Sequence, residues 1–424
     1  MPLLGAPGWA SPEAVGEFAG QSGSRLSAGC VTVLRIARPA WHGEPGKGGL
    51  ARVGPMDIAS PVAGHGFDAG GPTLHEIGEA ELLHRLAAIA RRHGDDRRLV
   101  VASGDDAAVW RPPGGAGIVL SQDAIVEGED FLRGWTDPWT LGRRALAIAL
   151  SDLAAMGARP ALCMVTLCAP AGSRVDDLLG IQEGICAAAA EAGCPVAGGD
   201  VSAIAGPLVI DISVVGTVDP GRALRRDRGR PGDLLVVTGW VGGAAAGLRL
   251  LLDGRRGRAP ASPGHERGHP PAEDGAPGEA EERWLARQLR PRARLGEGQA
   301  LLRLGVACAG DLSDGLIVDV GRITAASGCA AELWLESVPA EPGIRSLLGP
   351  AWVDAALGGG EDFELVAAVD AERLDGLLAR WPAGLAPLHV TGRLTPGSGL
   401  RLLDRRDGEE VPLPPVASRH FREP

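Results

Sequence analysis

Short apolar runs that end in glycine and aspartate recur along this chain and limit its fold more than any other feature. Residues 99–102 lead into Gly104-Asp105-Asp106, and residues 117–120 lead into Ser121-Gln122-Asp123. Runs of this length predict strands, and turns rich in glycine and aspartate predict where those strands end. Carboxylates at strand ends lie where mixed α/β sheets bind ligands. The pattern therefore favours sheets that carry acidic groups at the ends of their strands.

The predicted helices and strands are mixed without strict alternation, which is typical of α+β domains. Helices are predicted over 138–156 and 175–192, and further strands over 162–167, 208–218 and 234–238. A chain of 424 residues exceeds one ordinary core, so we expect two domains. We predict a first domain at 73–218 and a second at 219–424, with a flexible insertion at 254–280. A disordered extension is predicted at 1–72, and Met56 within it is an alternative start.

Charge and composition exclude several classes of protein. The chain carries 53 acidic against 42 basic residues, a formal net charge of −11, which argues against a general nucleic-acid binder. Its seven cysteines include no C-x-x-C pair, which predicts reduced thiols rather than a disulfide framework. No apolar run is long enough for a membrane span and the N-terminus lacks a secretory pattern, so we expect a cytoplasmic protein that does not bind membranes.

Asp152 lies where an acidic residue is least expected. It belongs to the predicted helix 138–156, between Leu150 and Leu153, in a stretch of small and apolar residues. An unpaired buried carboxylate there would be very costly, so Asp152 requires a cation or a hydrogen-bond network. Oxygen ligands without nearby His or Cys favour Mg²⁺ over Zn²⁺.

Six acidic motifs stand out, and Asp152 belongs to one of them. They are Gly104-Asp105-Asp106, Ser121-Gln122-Asp123, Ser151-Asp152-Leu153, Gly198-Gly199-Asp200, Asp311-Leu312-Ser313-Asp314-Gly315 and Gly359-Gly360-Glu361-Asp362. Taken singly, most of these motifs are ordinary turn or cap sequences. Taken together, they predict a site in which Mg²⁺ bridges carboxylates to the phosphates of a nucleotide, as phosphoryl transfer requires.

Two patterns in the sequence are misleading. Residues 265–269 match the zinc-protease pattern H-E-x-x-H, but a glycine within them and prolines on both sides prevent the helix that this chemistry needs. Thr238 to Gly243 resembles a dinucleotide-binding turn, but its glycine spacing is wrong, so we interpret it as a helix N-terminus. The chain also has no Walker A loop, and its one lysine, Lys47, is not followed by Ser or Thr.

The order of the motifs resembles a known family. The sequence runs GDDAAV, S-x-D-x-x-V-E-G, ALSDLAAMGA-x-P, GGD, GRAL, VTG followed by G-x-AAGL, RPRARL, DLSDGL-x-x-D and GGEDFEL. These motifs are similar to those of the thiamine-monophosphate kinase family, within the aminoimidazole-ribonucleotide synthetase superfamily, over residues 77 to 421 without the insertion. The resemblance implies an N-terminal domain that binds ATP and metal, and a C-terminal domain of the aminoimidazole-ribonucleotide synthetase-like type.

The resemblance also implies an activity and its residues. The family transfers the γ-phosphate of ATP to thiamine monophosphate directly and in line, with several Mg²⁺ ions, and acts as a homodimer. Matching positions assign the metal ligands Asp106, Ser121, Gln122, Asp123, Asp152, Asp200, Asp311 and Asp314. Asp106, Asp152 and Asp314 would carry the catalytic role. Ser313, Arg226 and Gly199 would contact ATP, whereas Asp130, Glu361 and Phe421 would lie on the thiamine side.

Two positions depart from the family's pattern. Gln122 stands where relatives have Thr, although its side chain and its backbone carbonyl both offer an oxygen. Asp130 stands where relatives have a His that contacts substrate, which replaces a cation by an anion near a phosphate. Two alternatives therefore stay open, another ATP-using member of the superfamily and a non-catalytic protein that binds phosphate esters.

Overall fold

The computed structural model describes residues 99–101, 105–110, 115–255 and 277–414, all within one unit of the chain. The predicted extension at 1–72, most of the predicted insertion at 254–280 and Phe421 lie outside these residues. Two sheets and the helices against them make up the described part, which confirms the predicted α+β class.

The first sheet is formed by the first half of the described chain. Its strands are β1 (Leu99–Val101), β2 (Ala108–Trp110), β3 (Gly117–Val126), β4 (Arg159–Ala169), β5 (Val196–Ala203) and β6 (Val209–Val218). They lie in the order β1-β2-β3-β6-β4-β5, and only β4 and β5 pair in parallel among them. Side chains of β6 alternate between buried and half-buried, which is the pattern of a central strand with one face on a core.

Two long helices, α1 (Pro138–Ala155) and α2 (Val175–Ala192), pack on this sheet. The helix α1 begins at Pro138 because Asp137 caps it: the Asp137 carboxylate accepts the Thr140 N–H at 2.9 Å. Most of α1 is buried, including Leu146, Ala149 and Leu153, so this helix forms the centre of the first core.

The second sheet is formed by the second half of the chain. Its strands are β7 (Leu234–Thr238), β8 (Cys308–Asp311), β9 (Ala330–Trp334), β10 (Leu365–Val369), β11 (Leu388–Thr395), β12 (Gly399–Leu403) and β13 (Glu410–Val411). They lie in the order β13-β12-β9-β11-β7-β10-β8, and β9 pairs with β12 in parallel. The strand β10 is buried along its whole length, which places it at the centre of the second core.

Helices of the second half surround this sheet. They are α3 (Gly243–Leu252), α4 (Pro277–Leu289), α5 (Leu295–Arg303), α6 (Leu316–Ser327), α7 (Ile344–Leu348) and α8 (Leu374–Leu378). Short 3-10 or π turns are formed at Arg226–Arg228, Leu335–Ser337, Gly349–Ala351, Asp354–Gly358 and Ala371–Arg373. Within the described residues, none of the helices has the length and apolar character needed to cross a membrane.

The helix α1 connects the two halves of the molecule. Its last residues, Ala154 and Ala155, are fully buried in a core that also contains Val236 and Leu301 of the second half. A side chain on Gly298 would lie 1.9 Å from the Ala154 carbonyl oxygen, so the backbones of α1 and α5 are in direct contact there. This packing holds the C-terminal end of α1, which carries Asp152, against the second sheet.

Two motifs predicted as turns lie inside strands. The strand β3 continues through Ser121-Gln122-Asp123 to Val126, and Gly198-Gly199-Asp200 lies within β5. The reason is pairing: β3 bonds β6 along its whole length, and β5 bonds β4. The chain passes from the first sheet to the second between Val218 and Leu234. The division into domains at residues 218 and 219 stays a prediction.

Candidate active site

Three carboxylates from separate parts of the chain meet between the two sheets. Asp106 follows β1, Asp152 lies in α1, and Asp311 ends β8. Each offers an oxygen within 4.8 Å of the others, an arrangement that could hold a metal ion. The sequence motifs predicted these three residues as ligands, and the fold brings them together across about 200 residues of chain.

One arginine partly balances this cluster. The Arg226 guanidinium pairs with Asp106 and lies 3.8 Å from Asp311, and its backbone N–H donates to Asp105 at 3.1 Å. Burial alone would lower the pKa of Arg226, but the charges of Asp106 and Asp311 raise it above the ordinary value and keep the guanidinium charged. In the part of the chain that the structure describes, one arginine pairs with these three carboxylates, which leaves the cluster short of positive charge.

Ser121, Asp123 and Ser151 extend the cluster. The Ser121 hydroxyl donates to Asp152, and the Ser151 hydroxyl donates to Asp311 at 2.9 Å. Because side chains alternate along a strand, Ser121 and Asp123 share one face of β3, and this face meets α1. The predicted ligands Ser121 and Asp123 therefore lie beside the cluster, whereas Ser151 was not predicted as a site residue.

Three carboxyl groups of this site, those of Asp106, Asp123 and Asp152, have raised pKa values. Burial raises the pKa of Asp106 and of Asp152 well above the usual range, and the charge of Asp311 raises both further. Burial also raises the pKa of Asp123 to about 6. One oxygen of Asp106 and one of Asp123 are buried without a hydrogen-bond partner in the described structure. Buried, unsatisfied carboxylate oxygens that repel one another fit a hard divalent cation.

The loop after β8 is held by a separate set of contacts. The Asp314 N–H donates to Asp319 at 3.0 Å, and Arg322 pairs with both carboxylates. Burial raises the pKa of Asp319 to about 7. The Ser313 hydroxyl lies 3.4 Å from Asp311. Asp319 belongs to the DLSDGL-x-x-D motif but was given no role by sequence reasoning; its spacing of three residues from Arg322 on α6 was the available signal.

Three of the predicted residues lie apart from the cluster in the described chain. The Gln122 side chain is on the opposite face of β3 from Ser121 and donates to Asp211 at 2.7 Å. Asp200 is exposed on β5, where it accepts the Ser202 hydroxyl at 3.0 Å. A side chain on Gly199 would lie 1.8 Å from the Val165 carbonyl oxygen, so glycine there permits the β4–β5 pairing. Their proposed roles in binding metal and ATP stay predictions.

The predicted thiamine-side residues Asp130 and Glu361 are joined by Arg144, which sequence reasoning missed. One Arg144 N–H group donates to the Asp130 carbonyl oxygen at 2.8 Å, and another pairs with Glu361 at 2.5 Å. Gln288 donates to the second oxygen of Glu361. The Asp130 carboxylate itself accepts the Val126 N–H at 2.7 Å, so this anion is used to close a turn.

A second buried ionic cluster lies under the GGEDFEL motif. Glu364 is fully buried and pairs with Arg294 and with Arg287, and it accepts the Thr238 hydroxyl at 2.7 Å. Arg287 also lies 3.2 Å from the buried Glu341. Asp362 accepts the N–H groups of Gly242 and Ala244 at the start of α3, and burial raises its pKa to about 7.

Known proteins resemble this chain in both sequence and structure. Residues 104–218 match the family described as AIR synthase related protein, N-terminal domain. A thiamine-monophosphate kinase of Salmonella typhimurium is 37% identical over 266 residues, which cover 62% of this chain and 74% of that protein. A thiamine-monophosphate kinase of Escherichia coli O157:H7 is 34% identical over 359 residues, which cover 82% of this chain and 99% of that protein.

A solved structure agrees with these relatives. The structure described as AaThiL complexed with AMPPCP and TMP is 26% identical and has a TM-score of 0.67, covering 83% of this chain and 99% of that chain. The resemblance predicted from the order of the motifs is thus confirmed over both halves of the molecule. The chain belongs to the thiamine-monophosphate kinase family.

Proposed function

We propose that this chain transfers the γ-phosphate of ATP to thiamine monophosphate and so forms thiamine diphosphate and ADP. The observation that carries the proposal is the meeting of Asp106, Asp152 and Asp311 between the two sheets. Family membership supplies the substrates, since the relatives are thiamine-monophosphate kinases and one related structure was solved with AMPPCP and TMP.

The chemistry suits a site with many carboxylates and no obvious general base. An oxygen of the acceptor phosphate attacks the γ-phosphorus, the new P–O bond forms, and the bond between the γ-phosphorus and the bridging oxygen of ADP breaks. The attacking oxygen is already ionised, so no proton has to be removed. Catalysis then depends on alignment and on neutralising the phosphate charges.

Mg²⁺ is the cation that we propose for the cluster. Asp106, Asp152 and Asp311 would hold it, with Asp123 and Ser121 close by. When bound, Mg²⁺ would neutralise phosphate oxygens that the carboxylates alone would repel. The unpartnered oxygens of Asp106 and Asp123 support this assignment, because a buried carboxylate oxygen needs a proton, a donor or a cation.

The two substrates would bind next to each other along α1. Arg226 and Ser313 lie beside the aspartates and would bind the nucleotide, together with Gly199. Glu361 and Asp130 lie around Arg144, eight residues before Asp152, which is about 12 Å along a helix. Phe421 would complete the thiamine side, as the family pattern implies.

We also propose that the chain forms a homodimer through β5. This strand is an edge of the first sheet, and seven of its eight residues are exposed, including Val201. An exposed edge strand with apolar side chains is normally covered by a partner. Light scattering of the purified protein tests this proposal. A cytoplasmic location likewise stays a proposal, and the absence of disulfides among the described cysteines supports it.

One experiment tests the reaction itself. The full-length protein is incubated with Mg²⁺, ATP and thiamine monophosphate, while ADP release and thiamine diphosphate are measured separately. We expect equal amounts of both products, and none without either substrate. Release of ADP without a thiamine product would favour another ATP-using member of the superfamily. Binding of ATP without turnover would favour a non-catalytic protein.

A further inference from the structure

Arg144 links both halves of the proposed thiamine side, and we infer that it is a positioning residue for the phosphate acceptor. This inference rests on the proposed function. Arg144 lies in α1 of the first half, one of its partners is in the loop after β3, and the other is in the GGEDFEL segment of the second half. Its effect should therefore fall on the binding of thiamine monophosphate rather than of ATP.

Arg144 is buried, and two acceptors hold its guanidinium. Its side chain is only 1% exposed, and two separate N–H groups reach the Asp130 carbonyl oxygen and the Glu361 carboxylate. Burying a charged guanidinium is costly, and the two acceptors of Arg144 offset part of that cost while being held in place themselves. A guanidinium holds two acceptors in one plane, which the single ammonium group of lysine cannot do.

Contacts hold both the backbone and the side chain of Glu361. Its backbone has a φ of 65°, a left-handed conformation that is uncommon outside glycine, and its N–H donates to the Ser313 carbonyl oxygen at 2.8 Å. Gln288 and Arg144 hold its two carboxylate oxygens. Contacts on both the backbone and the side chain thus fix a residue in a strained conformation, as is common at ligand sites.

The contacts of Arg144 predict which kinetic constant changes. Among the described residues, Arg144 bonds directly to Asp130 and Glu361 and makes no direct hydrogen bond or ion pair with Asp106, Asp152 or Asp311. Glu361 contacts Ser313 through its backbone N–H, which a substitution of Arg144 leaves in place. Removing Arg144 should therefore displace the acceptor site and leave the metal cluster intact. A displacement of about 1 Å is enough to reduce productive binding by an order of magnitude or more.

The test compares Arg144→Gln and Arg144→Lys with Arg143→Gln. Arg143 is the matched control, because it is the neighbouring residue in α1 and also pairs with a glutamate, Glu191, but at the surface. We expect Arg144→Gln to raise KM for thiamine monophosphate roughly tenfold or more, with KM for ATP unchanged and kcat reduced less than threefold. Arg144→Lys should recover part of the loss, and Arg143→Gln should behave as the parent protein.

A double substitution separates positioning from a structural role. If Arg144 acts through Glu361, adding Glu361→Gln to Arg144→Gln should raise KM for thiamine monophosphate far less than the two single effects combined. If the parent enzyme is active, either of two results would overturn the inference. One is that the effects of the two substitutions on KM are additive, and the other is that KM changes equally for both substrates. If Arg144→Gln does not fold, Arg144→Lys keeps the charge and carries the same test. Failure of the parent protein to make thiamine diphosphate would instead reject the proposed function.

Discussion

Two buried groups of acidic side chains lie at the junction of the two sheets, and they differ in how their charge is balanced. Among the described residues, the aspartate cluster of Asp106, Asp152 and Asp311 pairs with one arginine, Arg226. The glutamate cluster contains the buried Glu297, Glu341 and Glu364 and the partly buried Glu361, and it is paired with Arg144, Arg283, Arg287 and Arg294. The protein itself therefore neutralises the second group and leaves the first with excess negative charge.

This difference indicates separate roles for the two clusters. Carboxylates that are paired with arginines join helices and strands and fix side chains, because their negative charge is already balanced in the folded protein. Carboxylates without enough cations favour the uptake of a cation from outside, which would arrive with the nucleotide. The raised pKa values of Asp106 and Asp152 have the same origin, since burial and the repulsion from neighbouring carboxylates both oppose ionisation.

The largest expected effect comes from Asp152→Asn. The amide oxygen still accepts the Ser121 hydroxyl, so the fold should survive, but the negative charge that would hold Mg²⁺ is lost. We expect kcat to fall about 1,000-fold, which corresponds to about 4 kcal/mol of transition-state stabilisation. The coupled ADP assay measures the rate, and thermal unfolding checks the fold. A variant with full activity would mean that the aspartate cluster is not the metal site.

The matching change in the glutamate cluster should lower stability. Glu364→Gln leaves the buried Arg294 and Arg287 short of negative charge, so we expect the free energy of unfolding to fall by about 3 kcal/mol. Denaturation in urea measures the change, and Glu191→Gln, in an exposed pair with Arg143, is the control with less than about 1 kcal/mol. Equal losses in the two variants would remove the distinction between a buried structural cluster and surface pairs.

The structure could be predicted best where a local sequence pattern determines it. The apolar run with Asp152 predicts both the helix and the need for a cation, and α1 has nearly the predicted bounds. Glycine and aspartate were less reliable signals. They predicted turns at residues 121–123 and 198–200, but pairing of β3 with β6 and of β5 with β4 keeps both segments extended.

The residues that were missed depend on contacts that are distant in sequence. Arg144 and Glu361 are 217 positions apart, and Glu364 and Thr238 are 126 apart. Neither periodicity nor spacing can indicate such a pair, because each residue alone is an ordinary charged or polar side chain. An arginine in a helix of small, buried residues was the one available signal for Arg144, of the same kind that identified Asp152.

The last prediction tests the aspartate cluster without any substrate. Burial raises the pKa of Asp123 from 3.8 to about 6, so the folded protein binds a proton more tightly than the unfolded chain. Stability from this group is therefore complete below about pH 4 and is lost as the pH rises to about 6. In EDTA at pH 7.5, the free energy of unfolding of Asp123→Asn should exceed that of the parent by about 3 kcal/mol, because a shift of about 2.2 pKa units (6 − 3.8) corresponds to roughly 1.4 kcal/mol per unit. Adding Mg²⁺ should stabilise the parent and reverse the order. If the two proteins are equally stable in EDTA, the repulsion that we assign to the unbalanced cluster is absent.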